Sequence, residues 1–418
     1  MYDSKTALKL RGKVSRFSGV VSKGLCKVSQ RFVGEMLYGL QAQRTIMLSE
    51  IGRALCDKVS LKKTEERLSR QLNRFGLGRQ IQNRLIEQSA DRIKEDTLLI
   101  VDISDVRKKY ARKMEYLGGV HDGSENDIGQ GYWTCQVVAA NLNSKSSLPI
   151  YGHIYSVNAP DSISENREVL HPIQLINKQV SGRGIWVIDR GGDRRKIILP
   201  LLEGGINFII RQNGNRHVVY RGEKVLVEDL AETCPMFFKE FIVREKKNKE
   251  KIYELELGYR PVKFPEWDKR LNLVVIRGFG KKPMMLLTSL SLTRSRKSLL
   301  RILESYIRRW DIEEQIRFMK QTYDIENVRV LRYQSLQNLY PLVIAAAYFV
   351  CAVLDQTAKL KLLTHKLLFA AKRIFGIPDF RYYAIADGLA TIFQQHPGNI
   401  TPMNKSPDLQ MLLPITNS

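Results

Sequence analysis

The sequence predicts an α/β protein in which a mixed sheet is flanked by helices and interrupted by an antiparallel β insertion. Residues 96–212 support the mixed sheet, because short apolar runs that end in an acid alternate there with stretches of helical spacing. Residues 213–283 alternate apolar and polar side chains with period two, which predicts the insertion. Residues 1–95 and 336–418 have helical spacing, so we expect helical regions at both ends.

The N-terminal region, residues 1–95, is basic, and we expect it to bind DNA. LSEIGRALC (48–56) has the spacing of a short helix, and Ser60 is a suitable N-cap for the helix LKKTEERLSRQLNRF that follows. Two short helices with a cationic second one resemble a helix-turn-helix arrangement. Glu65 and Glu66 favour the alternative, an ordinary solvated face. The candidate DNA contacts on the second helix are Lys62, Lys63, Arg67, Arg70 and Arg74.

Residues 96–212 form the first part of the predicted core. Three strands are followed by a helix, a strand, a helix and a last strand, an order that suits a mixed sheet with helices on both faces. The apolar and β-branched runs that predict strands are at 97–104, 131–142, 148–156, 184–192 and 206–212. The two stretches of helical spacing are at 165–180 and 193–205.

The core resumes after the insertion, over residues 284–335. MMLLTSL (284–290) is predicted to be an apolar strand. SLLRILESYIRRWDIEEQIRFMKQ (298–321) is predicted to be one continuous amphipathic helix. Ser335 is the expected cap of the apolar helical stretch 336–376, which opens the C-terminal helical region.

Composition predicts a polyanionic partner and a reducing compartment. The formal net charge of +24 favours nucleic acid over an anionic membrane surface as the partner. The five cysteines include no CxxC pair, so we expect neither a disulfide framework nor a cysteine-based zinc site. Residues 1–30 lack the apolar core of a signal peptide. The apolar run 339–354 is shorter than the roughly 20 residues of a membrane span, so we expect a buried helix in a cytoplasmic protein.

The helix 298–321 aligns four polar side chains beside its apolar seam. At about 100° per residue they fall within roughly 60° of one another. Such an arc suits an acid flanked by groups that hold phosphates, whereas the alternative is an exposed face with ordinary i,i+4 ion pairs. The four side chains are Tyr306, Arg309, Glu313 and Lys320.

Two further acids follow buried strands. Asp102 and Asp189 each come after four apolar residues, where an uncompensated charge is costly. Together with Glu313 they would form a pocket of three carboxylates, whose mutual repulsion Mg²⁺ would relieve. Two Mg²⁺ ions, with Mn²⁺ as an alternative, suit oxygen ligands and can activate a phosphodiester. The cations expected to hold the phosphates are Arg190, Arg309 and Lys320.

Other residues are candidates for supporting roles. Asp105 and Asp193 lie close in sequence to the first two acids and could support them. Glu314 and Asp311 lie on other faces of the predicted helix, which excludes them from the pocket. Trp267 in the insertion could wedge between bases at a distorted DNA end, although packing is the commoner role of a tryptophan.

These motifs resemble the DDE transposases of bacterial insertion sequences, and more narrowly the insertion-sequence-4 type. The resemblance covers roughly residues 96–335. The motifs that carry it are Asp102, Asp189 followed by Arg190-Gly191, and the signature Tyr306-x2-Arg309-x3-Glu313-x6-Lys320.

The resemblance implies a ribonuclease-H-like fold in which Asp102, Asp189 and Glu313 bind two metal ions. The implied reaction is strand cleavage by water, followed by attack of the freed 3′-hydroxyl on target DNA. The implied partners are the terminal inverted repeats, the target DNA and a second copy of the chain, with no membrane. The implied location is the bacterial cytoplasm, at the nucleoid when DNA is bound. The residues implied to contact DNA at the transposon end are Tyr306, Arg309 and Lys320.

Two other functions stay open at the level of the sequence. A structure-selective nuclease on the same fold would cleave DNA without joining strands, and a strand-transfer assay would distinguish it from a transposase. An inactive, domesticated repressor would bind DNA without turnover. The intact carboxylates at 102, 189 and 313 argue against the repressor.

Overall fold

A computed structural model describes residues 4–108, 110–122, 127–144, 146–246, 249–354 and 381–400. Within these residues the strands form one mixed sheet of 12 strands, and helices pack on both of its faces. This architecture confirms the predicted α/β fold, with helices at both ends of the described chain.

The strand order across the sheet is β2-β3-β1-β5-β6-β12-β11-β10-β7-β8, with β4 paired to β3 and β9 paired to β10. The strands are β1 (Leu98–Arg107), β2 (Gly118–Asp122), β3 (Asp127–Ala140), β4 (Ser147–Tyr155), β5 (Ile185–Ile188), β6 (Phe208–Arg211), β7 (His217–Tyr220), β8 (Glu223–Leu226), β9 (Met236–Lys246), β10 (Lys249–Phe264), β11 (Trp267–Arg277) and β12 (Met284–Thr288).

Short 3-10 turns at Arg190–Gly192 and Ile325–Asn327, and a π-helix at Phe349–Leu354, supplement the α-helices. The α-helices are α1 (Ser4–Val21), α2 (Lys27–Gln43), α3 (Leu48–Ala54), α4 (Leu61–Leu72), α5 (Leu77–Ala90), α6 (Glu165–Gln179), α7 (Arg195–Glu203), α8 (Val227–Glu232), α9 (Arg296–Ile307), α10 (Trp310–Tyr323), α11 (Tyr333–Tyr348) and α12 (Tyr382–Gln395).

The core sheet agrees with the ribonuclease-H-like expectation. β3 lies antiparallel to β1, while β5 and β6 lie parallel to β1 in succession. The five strands and two helices predicted within 96–212 are all present, as β1, β3, β4, β5, β6, α6 and α7. β2 was not predicted, because its sequence GGVHD is too short and too glycine-rich to show an alternating pattern.

The insertion extends the core sheet. β11 pairs with β12, and β12 pairs with β6, so the strands of residues 213–283 continue the same hydrogen-bonded ladder. β9 and β10 form a long antiparallel hairpin beside them. The predicted antiparallel strands are confirmed, but a period-two pattern defines strands without defining their neighbours, so this continuity was not foreseen.

The predicted continuous helix 298–321 is wrong, because the structure divides it into α9 and α10. α9 ends at Ile307, and α10 begins at Trp310. Between them the backbone hydrogen bonds shorten from a four-residue to a three-residue spacing. The N–H groups that bond three residues back are those of Arg309, Asp311 and Ile312.

Arg308 lies in the tightened turn between the two helices. Its guanidinium donates a short hydrogen bond to the carbonyl oxygen of Ser144 and forms an ion pair with Asp311 at 2.5 Å. Asp311 is itself partly buried, and burial raises its pKa despite the arginine. The backbone of Arg308 and Arg309 stays in the right-handed helical region, and the contact with Ser144 is a tertiary effect that helical spacing does not reveal.

The cap predicted at Ser335 is also wrong. α11 begins at Tyr333 after Arg332, and the Ser335 hydroxyl instead donates to Asn73 Oδ1 at 3.3 Å. The continuous helical stretch Tyr333–Leu354 has a mean hydropathy of 1.7 and is long enough to cross a membrane. However, 94% of its most apolar window is buried inside the protein, which confirms the predicted buried helix.

α11 packs directly on β4, and Gly152 permits this approach. A Cβ atom on Gly152 would lie 2.3 Å from Cδ1 of Ile344, far closer than carbon atoms pack. The two elements therefore form a close contact within the larger of two hydrophobic cores. The part of the predicted helix 336–376 beyond residue 354 lies outside the described residues.

The sheet separates the two cores, and alternate residues of each central strand face one or the other. On β1, Val101 belongs to the larger core, which contains the N-terminal helices and α11. Ile100 belongs to the smaller core, which contains the apolar side of α9. Because side chains alternate along a strand, Asp102 points to the same face as Ile100, toward α9 and the start of α10.

Candidate active site

Asp102 and Asp189 occupy equivalent positions on neighbouring strands of the sheet. β1 and β5 are parallel, with Val101 opposite Ile188. The next residue after each of these is one of the two acids. Asp189 follows the last residue of β5, and Asp102 lies within β1 at the point where its pairing with β5 ends. Crevices at such strand ends are where α/β sheets commonly bind ligands.

The surroundings of Asp102 disfavour the charged form of its carboxylate. Its side chain is 18% exposed, and Oδ1 accepts a hydrogen bond from the Ile103 N–H at 3.0 Å. Burial, followed by the negative charge of Asp189, raises the pKa of Asp102 to about 7. Arg309 and the Ile103 N–H partly offset this rise, while Glu313 adds to it. The carboxylate therefore lacks sufficient positive charge nearby.

Arg309 joins Asp102 to Glu313. Its Nη1 lies 3.6 Å from Asp102 Oδ2, and its Nη2 donates to Glu313 Oε1 at 2.8 Å. Burial alone would lower the pKa of Arg309, but Asp102, Tyr306 and Glu313 together raise it above its usual value. One buried guanidinium thus holds the acid of β1 and the acid of α10 on either side of it.

Asp189 begins the 3-10 turn that follows β5. Its Oδ1 accepts a hydrogen bond from the Gly191 N–H at 2.8 Å, which fixes the carboxylate at the strand end. Arg190, the next residue, is exposed. The turn therefore presents a carboxylate and an exposed cation side by side, as the sequence predicted.

The three carboxylates have the chemistry of a divalent-cation site, although they do not yet surround one position. Within the described ranges, no group of three His, Cys, Asp or Glu side chains is arranged to hold a metal ion. Arg309 supplies the positive charge between Asp102 and Glu313. The Glu313 side chain is 50% exposed and is held by Arg309 alone among the described ion pairs. The oxygen donors and their uncompensated charge fit a hard divalent cation once Glu313 leaves Arg309.

Tyr306 is not presented to solvent. It is 1% exposed in the smaller core, so its predicted DNA contact would require movement. The guanidinium groups of Arg309 and Arg211 both lie 5.9 Å from the centre of its ring, a cation–π distance. The ring therefore helps to position two arginines at the edge of the site.

Arg211 is a candidate site residue that the sequence reasoning missed. β6 is parallel to β5 with Ile210 opposite Ile188, so Arg211, the last residue of β6, is at the position equivalent to Asp189. The signal was present in the sequence, because a cation ends the apolar run FIIR just as an acid ends the run of each neighbouring strand.

Lys320 contacts two acids near the first strand. Its Nζ lies 3.6 Å from Asp105 Oδ1 and 3.4 Å from Glu326 Oε1. Asp105, predicted as a supporting group, thus positions the lysine of the signature. Asp193 instead pairs with Arg216 at 2.5 Å and accepts from the Asn213 N–H at 2.7 Å, so it supports the turn that carries Asp189.

The predicted DNA contacts of α4 divide into two groups. Lys62, Lys63 and Arg70 are exposed and available. Arg67 forms ion pairs with Glu35 and, at 2.7 Å, with Asp57, and these contacts hold α4 to its neighbours. The Arg74 guanidinium donates to the hydroxyl of Ser29 at 3.0 Å and to the sulfur of Cys26 at 3.1 Å. The first group suits a nucleic acid, whereas the second is engaged within the protein.

The residues that sequence reasoning excluded lie outside the acid cluster. Glu314 pairs with Arg317 at 2.6 Å, and Asp311 pairs with Arg308. Trp267 is partly buried against the larger core, with Lys269 Nζ 5.8 Å from its ring centre. The packing interpretation of Trp267 therefore agrees with its position.

Comparison with known proteins identifies the family. No curated protein matches the sequence. Among solved structures, a cryo-EM structure of a piggyBac transposase synaptic complex with hairpin DNA is similar, with a TM-score of 0.45 and 10% identity, covering 94% of this chain and 82% of that chain. A likeness of this size carries no functional conclusion. Residues 93–349, more than half of the chain, match the family described as "Transposase DDE domain". The chain therefore belongs to the Transposase DDE domain family and is a DDE transposase, an enzyme that cleaves DNA and transfers strands.

Proposed function

We propose that Asp102, Asp189 and Glu313 form the active site of a cut-and-paste transposase of the insertion-sequence-4 type. The observation that supports this proposal is that Asp102 and Asp189 occupy equivalent positions on adjacent parallel strands, and that Arg309 pairs with both Asp102 and Glu313. The Tyr-Arg-Glu-Lys signature supports the narrower type, because its spacing is complete in this chain.

DDE transposases use divalent metal ions, and we assign Asp102, Asp189 and Glu313 as the residues that hold two Mg²⁺ ions, or Mn²⁺. When bound, such ions stabilise the attacking and leaving oxygens of a phosphodiester. The raised pKa of Asp102 supports this assignment, because a buried carboxylate without enough positive charge nearby favours a cation. Glu313 must release Arg309 to join the other two acids, and the freed guanidinium then lies beside the reacting phosphate.

The cations around the acids are proposed to hold the phosphates of the DNA end. Arg309 and Arg211 flank the ring of Tyr306, and Lys320 is positioned by Asp105. Arg190 is exposed next to Asp189. Cations at several positions can orient a phosphodiester for in-line attack, first by water and then by the freed 3′-hydroxyl.

The remaining features of the proposal concern the partners and the location. The DNA substrates would be terminal inverted repeats, bound with help from residues 1–95, and a target duplex. Two copies of the chain would bridge two transposon ends, in a bacterial cytoplasm. The formal net charge of +24 supports an extended contact with nucleic acid.

The proposal is tested by Glu313→Gln, with Glu314→Gln as a matched control on the same helix. The substrate is a labelled duplex with the inverted repeat read from the DNA that flanks the coding sequence. Glu313→Gln should lower Mg²⁺-dependent cleavage by at least about a thousandfold, with binding to the duplex in EDTA unchanged. Glu314→Gln should cleave as the parent does, because Glu314 pairs only with Arg317 among the described residues. Equal cleavage by Glu313→Gln and the parent would remove Glu313 from the reaction.

The same assay separates a transposase from a nuclease. Adding a supercoiled target plasmid should yield joined products that carry the label. Cleavage without any joined product would favour the nuclease alternative.

A further inference from the structure

A groove of about 890 Å³ lies between the cationic helix α4 and the segment that leads away from the active-site helix. This connecting segment, residues 328–332, has no helical or strand structure and links the 3-10 turn after α10 to the start of α11. α4 forms one wall of the groove, and residues 329–332 form the other. The groove therefore lies between the N-terminal helices and the segment that follows α10, the helix that carries Glu313.

Exposed charges of both signs face this groove, with cations in excess. Glu65 and Glu66 on α4 are the acids. In the described part of the chain, none of the charged side chains that line the groove forms an ion pair, although the protein pairs many of its other surface charges. The cations are Lys62 and Arg70 on α4 and Arg329 and Arg332 on the connecting segment.

We propose that this groove binds the sugar-phosphate backbone of the transposon DNA, at a position inward of the cleaved end. The inference rests on the proposed function, which makes duplex DNA the substrate. Two unpaired cations on each wall can hold the phosphates of a strand between them. Apolar side chains of Met47 and Leu331 also line the groove and can contact the sugars.

The connecting segment is anchored to the catalytic core, so its arginines have a defined position relative to the active site. Lys108 Nζ donates to the carbonyl oxygen of Val328 at 2.7 Å. The Glu115 N–H donates to the carbonyl oxygen of Leu331 at 2.9 Å, and the Glu115 carboxylate accepts from the Tyr333 N–H at 2.8 Å. The segment follows α10 by way of the 3-10 turn Ile325–Asn327, so the catalytic core fixes the position of its two arginines.

The groove would thus act as a positioning site. Sequence-independent phosphate contacts fix the register of a protein on a duplex. Here the contacts come from the N-terminal helices and from the catalytic core together, which couples recognition of the DNA to placement of the scissile phosphate. Arg329 and Arg332 lie outside the signature, so the sequence alone did not single them out.

The test is equilibrium binding of the full-length protein to a fluorescein-labelled DNA duplex in EDTA, followed by anisotropy over a range of salt concentrations. Arg329→Ala and Arg332→Ala should each weaken binding by at least about threefold and lower the log–log salt slope by about 1. Lys178→Ala is the control, because Lys178 is exposed at the end of α6 and does not line the groove. Circular dichroism of each variant checks folding.

The acids of the groove give the opposite prediction. Glu65→Gln combined with Glu66→Gln should strengthen DNA binding by at least about threefold, because repulsion of the phosphates is removed. A gain in affinity cannot result from misfolding. Glu203→Gln, at the exposed end of α7, is the matched control.

Unchanged DNA binding in the arginine variants and in the paired glutamine variant would overturn the inference. Binding in EDTA requires no cleavage, so this result is independent of the Glu313→Gln experiment. If the groove variants bind DNA as the parent does while Glu313→Gln loses cleavage, the groove proposal is wrong. If the groove variants change binding as predicted while Glu313→Gln cleaves as the parent does, the active-site assignment is wrong.

Discussion

Asp102→Asn should stabilise the metal-free protein at neutral and alkaline pH, although it removes a proposed metal ligand. The pKa of Asp102 is raised to about 7 by burial and by Asp189, whereas an ordinary aspartate titrates near about 4. The difference of about 3 pKa units corresponds to about 4 kcal/mol against the ionised form in the folded state. Asparagine carries no charge, and its carbonyl oxygen can still accept from the Ile103 N–H.

The sign of the pH dependence follows from proton binding. Between about pH 4 and 7 the folded protein retains a proton that the unfolded chain has lost, so the stability of the parent falls as pH rises through this window. Asp102→Asn has no such loss at this position. We therefore expect the variant to be more stable by about 2–3 kcal/mol at pH 8, allowing for its weaker contact with Arg309, and nearly equal to the parent at pH 4.

Urea unfolding in EDTA, followed by tryptophan fluorescence at both pH values, measures this difference. Asp193→Asn is the control, because it removes the charge that pairs with buried Arg216 and should destabilise the protein by about 3 kcal/mol at pH 8. A variant Asp102→Asn that is no more stable than the parent at pH 8 would refute the electrostatic account of the site.

Three further predictions concern the surroundings of the acids and the core. Arg309→Gln should lower the free energy of unfolding in EDTA by about 3 kcal/mol at pH 8, because two carboxylates lose their shared cation, and added Mg²⁺ should restore part of this loss in urea unfolding. Gly152→Ala should cost about 2–3 kcal/mol in the same assay, because its Cβ would overlap Ile344; no loss would contradict the packing of α11 on β4. Asp105→Asn should lower single-turnover cleavage about tenfold and Lys320→Ala more, because Asp105 acts by positioning Lys320; a larger loss in Asp105→Asn would reverse this assignment.

The positions of the first two acids could be predicted from the sequence because local patterns determine them. Apolar runs of four residues form the start of β1 and all of β5, and an acid follows each run. When two such strands are parallel neighbours, their acids come together. The prediction needed only the ends of the apolar runs, which are visible in the residues before Asp102 and Asp189.

The position of Glu313 was predicted from one continuous helix, which the structure divides into two. The spacing from Tyr306 to Lys320 fits a single helix, and it reveals neither the tightened turn at Arg308 and Arg309 nor the contact of Arg308 with Ser144. The break leaves Tyr306 in the smaller core and places Glu313 on a separate helix. The metal and DNA roles of these side chains stay predictions.

The sequence marks Arg211 as the end of an apolar run, but it shows neither the groove nor the position of Arg211 beside Asp189. Their significance depends on which elements lie side by side, and the sequence does not specify the neighbours of β6 or of the connecting segment. The exposed cations of α4 were predicted from spacing alone, but the engagement of Arg67 by Glu35 and Asp57 required the fold.

The most direct test of the central claim is the position of Mn²⁺ in a crystal of the protein soaked in manganese chloride, read from anomalous scattering. The account predicts anomalous peaks within coordination distance of Asp102 and Asp189, about 2.2 Å, with Glu313 turned away from Arg309 toward the same ions. Manganese bound elsewhere, with Glu313 still paired to Arg309 and these acids empty, would contradict it.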